Sequence, residues 1–187
     1  KRQSYESVKT VMLPMAKTGA ESTAAMGIDT PLAVLSDDHQ PLFNYFKQLF
    51  AQVTNPPIDA IREKIVTSTT IYVGKAGNLL EAKQENCCVM RINNPILTET
   101  DLLKIKNMKE DGFKVAEIPT IYYKNSSLEK AIDYLFIEVD RAIREGANIL
   151  ILSDRGVDEY HVAMPSLLVL SGLQQHLVRT KKRTSVG

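Results

Sequence analysis

The sequence has no tryptophan and only two cysteines, which are adjacent at Cys87 and Cys88. A disulfide framework is therefore not expected in a chain of 187 residues, and the cysteine content indicates a reducing compartment. Neighbouring residues on a strand point to opposite faces, and no Cys-x-x-Cys pair or Cys–His cluster accompanies the two, so we predict no metal site. The pattern favours two small, buried thiols.

The chain also lacks a surplus of charge and a long apolar run. Its net charge is +1 with 24% charged residues, which provides no basic surface for nucleic acid. No apolar run approaches the ~20 residues that a membrane-spanning helix needs, and the starting segment KRQSYESVKT lacks the apolar core of a signal peptide. We therefore expect a soluble cytoplasmic protein with neither a nucleic-acid partner nor a membrane partner.

Aromatic residues are concentrated in residues 43–50, where four of the chain's twelve Phe and Tyr residues lie. Apolar residues recur there every three or four positions, which predicts a helix with one wide apolar face: Leu42, Tyr45, Phe46, Leu49, Phe50 and Val53. A short extended run precedes it at residues 32–35, and Pro56 and Pro57 separate it from a second helix. We expect the rest of the chain to pack around the aromatic helix.

The later part of the chain alternates between helix and strand patterns. Two capping boxes, Thr98 with Asp101 and Ser126 with Glu129, predict helix starts. Further helices are predicted at residues 5–16 and 165–182. Apolar and β-branched runs predict strands at residues 67–73, 87–92, 113–118 and 147–153. The fold class is therefore α/β, a parallel sheet with βαβα units flanked by helices.

One loop lies at a position in the predicted fold where functional sites often occur. Ser153, Asp154 and Arg155 directly follow the apolar strand Ile149–Ser153, and ligands of parallel α/β folds gather at the carboxyl ends of strands. The structural alternative is that Ser153 and Asp154 cap a turn while Arg155 pairs with a carboxylate. Composition and spacing favour the structural interpretation and leave the binding role open.

Two other features are weaker. The segment VGKAGNLL has the spacing of neither common phosphate-binding loop, so a β-turn is the better interpretation. His39, His161 and His176 are scattered, and none stands in a recognisable nucleophile motif. The position of His176 near the end of the last helix predicts an interaction with the helix dipole.

Several long segments of the sequence resemble those of one family. The segments DTPLAVLS, FKQLFAQVTNPPID, NPILT, GANILILSDRGVDE and MPSLL together resemble the central domain of the glutamate synthase large subunit, and the resemblance covers essentially the whole chain. The resemblance implies that the chain is a fragment of a longer polypeptide, with a linker at residues 1–31 and a truncated central domain at residues 32–187.

The resemblance also implies a role. Glutamate synthases convert glutamine, 2-oxoglutarate and two electrons into two glutamates, with FMN, an iron–sulfur cluster and NAD(P)H or ferredoxin. The implied partners are an amidotransferase domain and an FMN-binding synthase domain of the same polypeptide. The central domain joins them and helps to wall the ammonia passage, so we expect no catalytic, cofactor-binding or metal-binding residue here and no activity of the fragment alone.

The small-residue segment at residues 24–30 suits such a passage, because it is nearly free of strong general acids. Our candidates for a domain interface or passage are therefore Ala25, Met26, Gly27, Asp29, Thr30, Ser153, Asp154 and Arg155. Two alternatives remain open. One is a freestanding α/β small-molecule binding module that uses the loop after the Ile149–Ser153 strand, and the other is a complete small flavoenzyme.

Overall fold

A computed structural model describes residues 5–22, 34–35, 37, 42–46 and 56–187. The chain divides into two compact units, Lys1–Ala60 and Ile61–Gly187. The predicted domain boundary between residues 31 and 32 lies outside the described residues, so it stays a prediction.

The first unit begins with a helical segment. A π-helical stretch, Ser7–Met12, continues into helix α1, Leu13–Thr18. Gly19 ends it in the left-handed conformation, with φ of 68° and its N–H donating to the Met15 carbonyl at 2.9 Å. The predicted helix near residues 5–16, ended by Gly19, is confirmed.

The aromatic segment differs from its prediction where the structure describes it. Residues Leu42–Phe46 form a 3-10 helix, and Phe43, Tyr45 and Phe46 are 60%, 57% and 74% exposed. The prediction that Tyr45 and Phe46 belong to a buried face is therefore wrong for this chain. Residues 47–55 lie outside the described residues. The apolar period predicts a helix face that is buried against another surface, but it does not show whether that surface belongs to this chain.

The second unit opens with a helix and a hairpin. Helix α2, Ala60–Val66, precedes strands β1, Ile71–Gly74, and β2, Val89–Ile92, which pair antiparallel. Both predicted strands are thus confirmed, although each is shorter than its prediction. The 3-10 turn Gln84–Cys87 leaves Cys87 exposed and Cys88 half-buried, so the prediction of two buried thiols is wrong.

A parallel βαβ unit forms the centre of the second unit. Helix α3, Glu99–Lys106, starts with the predicted capping box and ends four residues before the predicted Glu110. Strand β3, Val115–Pro119, pairs in parallel with β5, Ile149–Ser153, and helix α4, Leu128–Arg144, lies between them in the chain. This parallel pair, with helices on either side of it in the chain, confirms the predicted α/β class.

The N-cap of α4 differs by one residue from its prediction. The Ser127 side chain accepts from the Lys130 N–H, and Ser127 is extended, with ψ of 144°. Ser126 instead closes a turn, because its N–H donates to the Tyr123 carbonyl at 2.8 Å. The predicted box of Ser126 with Glu129 is therefore wrong in register and right about the helix.

The second antiparallel strand pair was not predicted. Strands β4, Ile121–Tyr123, and β6, His161–Ala163, have three residues each. They adjoin the parallel pair through Thr120, whose N–H donates to the Ser153 carbonyl at 2.7 Å and whose carbonyl accepts from Met164 at 2.8 Å. Helix α5, Ser166–Arg179, follows.

The core of the second unit lies between the parallel pair and the two longest helices. Helix α4 contributes one buried face, and α5 contributes another. The buried side chains of these two faces and of the sheet form one cluster that includes Ile118, Leu135, Val139, Val169, Leu173, Leu177 and Val186. In the described part of the chain we find no helix with the length and apolarity that a membrane span requires.

Candidate functional site

The predicted loop site lies at the carboxyl end of β5, as expected. Ser153 is the last strand residue, and its hydroxyl accepts from the Arg155 N–H at 3.4 Å. Gly156 continues the turn with φ of 96°, a value that a residue with a side chain rarely adopts. The backbone therefore turns sharply after β5 and leaves Asp154 and Arg155 exposed.

Arg155 pairs with a carboxylate. Its guanidinium Nη2 lies 3.4 Å from Oε1 of Glu99, in the first turn of α3. Both side chains are well exposed, at 68% and 85%, so water screens the pair and its contribution to stability is small. The structure thus shows the pairing that the structural interpretation of this loop expected.

A second ion pair lies beside the first. Lys106 Nζ, at the end of α3, lies 2.6 Å from Oε2 of Glu117 on β3. The hydrogen bond from Lys106 is the main cause that holds the pKa of Glu117 below its ordinary value, and a further hydrogen bond from Ser153 acts in the same direction. Glu117 therefore stays ionised near neutral pH.

Glu117 and Lys106 were not predicted as members of this site. A signal was present, because Glu117 is a lone charged residue within the apolar strand VAEIP. A charge at such a position usually has a partner across the sheet face. The identity of that partner depends on how α3 packs on β3, which spacing does not reveal.

The two pairs border a small cavity of about 150 Å³. Its lining residues come from α3 and the loop after β5: Glu99, Leu102, Leu103, Lys106 and Arg155. Pockets for small-molecule ligands usually measure about 300–1,000 Å³. The cavity would accommodate a small anion beside its two cationic side chains, but each cation already has a carboxylate partner.

The other predicted site residues, Ala25, Met26, Gly27, Asp29 and Thr30, lie outside the described residues. Their role therefore stays a prediction. His39 also lies there.

The two described histidines each contact an aspartate. His161 Nδ1 lies 2.9 Å from Oδ1 of Asp158, which also accepts the N–H groups of Tyr160 and His161. The Tyr160 N–H, followed by the His161 side chain, keeps the pKa of Asp158 below its ordinary value. This arrangement closes the turn before β6.

His176 has a partner that was not predicted. Its ring stacks on Phe136 with centroids 4.5 Å apart, and its Nε2 lies 3.2 Å from Oδ1 of Asp140. Lys182 Nζ lies 2.8 Å from the same oxygen. His176 lies in the last turn of α5, as its prediction requires, and it also makes a specific contact between α4 and α5.

The described residues contain no group of three or more His, Cys, Asp or Glu side chains placed to hold a metal ion. The segment VGKAGNLL forms a turn. Gly77 has φ of 66°, and the Leu80 N–H donates to the Asn78 side chain at 3.1 Å. The β-turn interpretation agrees with these contacts.

Comparison with known proteins identifies the family. A family model described as "Glutamate synthase central domain" matches residues 2–187. The chain is 42% identical over 183 residues to "Glutamate synthase [NADPH] large chain" of Bacillus subtilis, which covers 98% of this chain and 12% of that protein. It is 40% identical over 187 residues to "Glutamate synthase [NADH]" of Schizosaccharomyces pombe, and that match covers 97% of this chain and 9% of the relative.

A third relative carries a different electron donor in its name. The chain is 42% identical over 184 residues to "Ferredoxin-dependent glutamate synthase 2" of Synechocystis sp., and the match covers 95% of this chain and 12% of the relative. The chain therefore spans about a tenth of the length of these relatives. The match to the family model over nearly all of its residues shows that the chain belongs to the glutamate synthase central domain family.

Proposed function

We propose that this chain is a connecting domain of a glutamate synthase and has no catalytic group of its own. It positions the amidotransferase and FMN-binding synthase domains of the same polypeptide and helps to wall the ammonia passage between them. The parent reaction converts glutamine, 2-oxoglutarate and two electrons into two glutamates. FMN and an iron–sulfur cluster belong to the synthase domain in this proposal, and NADPH, NADH or ferredoxin supplies the electrons.

The observation that carries the proposal is the exposure of large apolar side chains in the loops of the second unit. Leu79, Leu80 and Ile96 are 79%, 95% and 84% exposed. Leu79 and Leu80 are adjacent in the chain, and contiguous exposed apolar side chains are typical of surfaces that contact another protein body. The relatives are about ten times longer than this chain, and such surfaces fit a domain that packs against other domains.

The ion pairs near the loop after β5 support a structural role for that loop. A general acid or base works best with a pKa near the working pH, and the pKa of Glu117 is shifted the other way by Lys106. The carboxylates of Glu99 and Glu117, which flank this loop, are already paired with Arg155 and Lys106. Ser153, Asp154 and Arg155 therefore fit a domain interface better than a reaction centre.

The apolar loop surface provides a test. Leu80→Ser is expected to leave the unfolding free energy of the 187-residue chain within about 0.5 kcal/mol, because Leu80 is exposed there. In the full-length synthase the same change is expected to lower glutamine-dependent glutamate formation severalfold, because it removes an apolar contact between domains.

Lys109→Ser is the matched control, since Lys109 is exposed in the same unit and is polar. It is expected to change neither the chain's stability nor the synthase rate. An unchanged rate for Leu80→Ser would remove this surface from the domain contacts and contradict the proposal.

A second candidate function is a freestanding small-molecule binding module that uses the loop after β5. The cavity beside Lys106 and Arg155 favours it, although its 150 Å³ is small for such a site. Thermal unfolding with and without 2-oxoglutarate or glutamine separates the candidates, because a ligand that binds only the native state must raise the melting temperature. A flavin absorption band that survives gel filtration would instead indicate a small flavoenzyme.

A further inference from the structure

Strand β5 has two edges, and the residues that the structure describes occupy one of them only in part. On one side β5 pairs in parallel with β3 over five residues. On the other side the Gly187 N–H donates to the Asn148 carbonyl at 3.0 Å, and the Leu150 N–H donates to the Gly187 carbonyl at 3.0 Å. These two bonds follow the pattern of a parallel ladder and place Gly187 beside Ile149.

The side chains around Gly187 follow the alternation of a true strand. Val186, one rung earlier, is 2% exposed and belongs to the cluster formed with α4 and α5. A Cβ at Gly187 would point to the other face and collide with the backbone of Gly74 at the end of β1. The segment at Val186 and Gly187 therefore has one face on the helices and one on the hairpin.

An apolar groove continues from this point along β5. It measures about 110 Å³ and lies between β5 and α5, with walls that include Leu150, Leu152, Leu170, Leu173, Leu177 and Val186. Leu170 is 62% exposed although it faces the groove. By alternation, the Leu150 carbonyl and the Leu152 N–H are the next backbone groups that point to this edge of β5.

We propose that residues directly following Gly187 in a longer polypeptide complete this edge as a third parallel strand. The backbone of the second residue after Gly187 then pairs with the Leu150 carbonyl and the Leu152 N–H. The first and third residues lie beside Leu150 and Leu152, on the helix side, and fill the apolar groove. The match to relatives about ten times longer supplies the context for such a segment, and the proposal does not depend on the passage role.

The sequence of the longer polypeptide gives the first check. The first and third residues after Gly187 are expected to be apolar, because they share the face of Leu150 and Leu152. Charged residues at both positions would overturn the proposal.

Hydrogen exchange in the full-length polypeptide tests the pairing directly, with fragmentation that resolves single amides by mass spectrometry. Ile151 is the internal reference, because the backbone N–H groups of the odd-numbered residues of β5 point to β3. The Leu152 amide is expected to exchange within about tenfold of Ile151, as two ladder-bonded amides of one strand do. Exchange of Leu152 more than about 100-fold faster than Ile151 would overturn the proposal.

Proline substitutions identify the strand that covers the edge. Proline at the second position after Gly187 removes the N–H that pairs with Leu150, so it is expected to raise Leu152 exchange at least about tenfold. Proline at the first position is the control, because that N–H points away from β5. Equal effects would overturn the proposal, as would protection of Leu152 that disappears on dilution, which would assign the edge to a second copy. If a proline variant unfolds, the comparison of Leu152 exchange with Ile151 exchange in the unmodified polypeptide is the deciding test.

Discussion

At the scale of single residues, Asp140 illustrates how this domain uses charge. Burial raises the pKa of Asp140 and is the largest single influence, but the hydrogen bonds from Lys182 and His176, together with the charges of these two groups, outweigh it. The pKa of the carboxyl therefore lies below its ordinary value. Asp140 thus joins α4 to the end of α5 and to the segment that follows it.

This cluster predicts a pH-dependent stability. A carboxyl with a lowered folded pKa stabilises the fold above about pH 4, and the contribution is lost as the pH falls through the folded value. Asp140→Asn is therefore expected to cost roughly 1–3 kcal/mol at pH 7 and less as the pH falls below about 4. Chemical denaturation of the chain at pH 7 and at successively lower pH measures both effects.

Asp133→Asn is the matched control, because Asp133 is exposed on the same helix. Its unfolding free energy is expected to follow that of the unmodified chain at every pH. If the two variants instead lost stability in parallel with pH, the contacts of Asp140 with Lys182 and His176 would not contribute as described.

At the scale of elements, helix α5 has a buried face and an exposed edge. Leu173 is 5% exposed and belongs to the core cluster, whereas Leu170, three residues earlier, is 62% exposed. Leu173→Ala is expected to lower the unfolding free energy by about 2–5 kcal/mol, the usual cost of a core cavity. Leu170→Ala removes the same atoms from an exposed position, and it is expected to change the value by about 0.5 kcal/mol or less. Urea denaturation of both variants gives the comparison, and similar losses would contradict this assignment of faces.

Elements with local signals could be predicted from the sequence, and elements that depend on tertiary contacts could not. The capping box of Thr98 with Asp101 is complete within four residues, so the sequence alone predicts where α3 starts. Strands β4 and β6 have three residues each, too few for an apolar period, and they are defined by their pairing with each other and by the hydrogen bonds of Thr120. The α4 cap shifted to Ser127 because a turn from Tyr123 already uses Ser126.

The same distinction applies to the candidate site. The address of Ser153 at the end of a buried strand followed from the chain pattern. The partners of Arg155 and Lys106 follow from the packing of α3 against β3, which no short-range spacing encodes. The exposure of Phe46 shows a third limit, because an apolar face in the sequence does not state which chain buries it.

At the scale of the whole molecule, the proposed function is that of a domain between two reaction centres. Under this proposal, ammonia released in one domain reaches another without escaping, so the domain between them has to combine a sealed passage with structural support. The parallel pair and helices α4 and α5 share one packed core in the second unit. The predicted passage residues at 25–30 belong to the first unit's part of the chain, and their role stays a proposal.

Three rates of the full-length synthase with Gly27→Phe test the central claim most directly: glutaminase turnover, glutamate formation from glutamine, and glutamate formation from added ammonia. We predict that glutaminase turnover continues, that formation from glutamine falls, and that formation from added ammonia falls less, because added ammonia can enter beyond the block. Ala20→Phe, at an exposed small residue, is the control and is expected to leave all three rates unchanged. An equal loss of all three rates in Gly27→Phe, or no loss in any, would contradict the account.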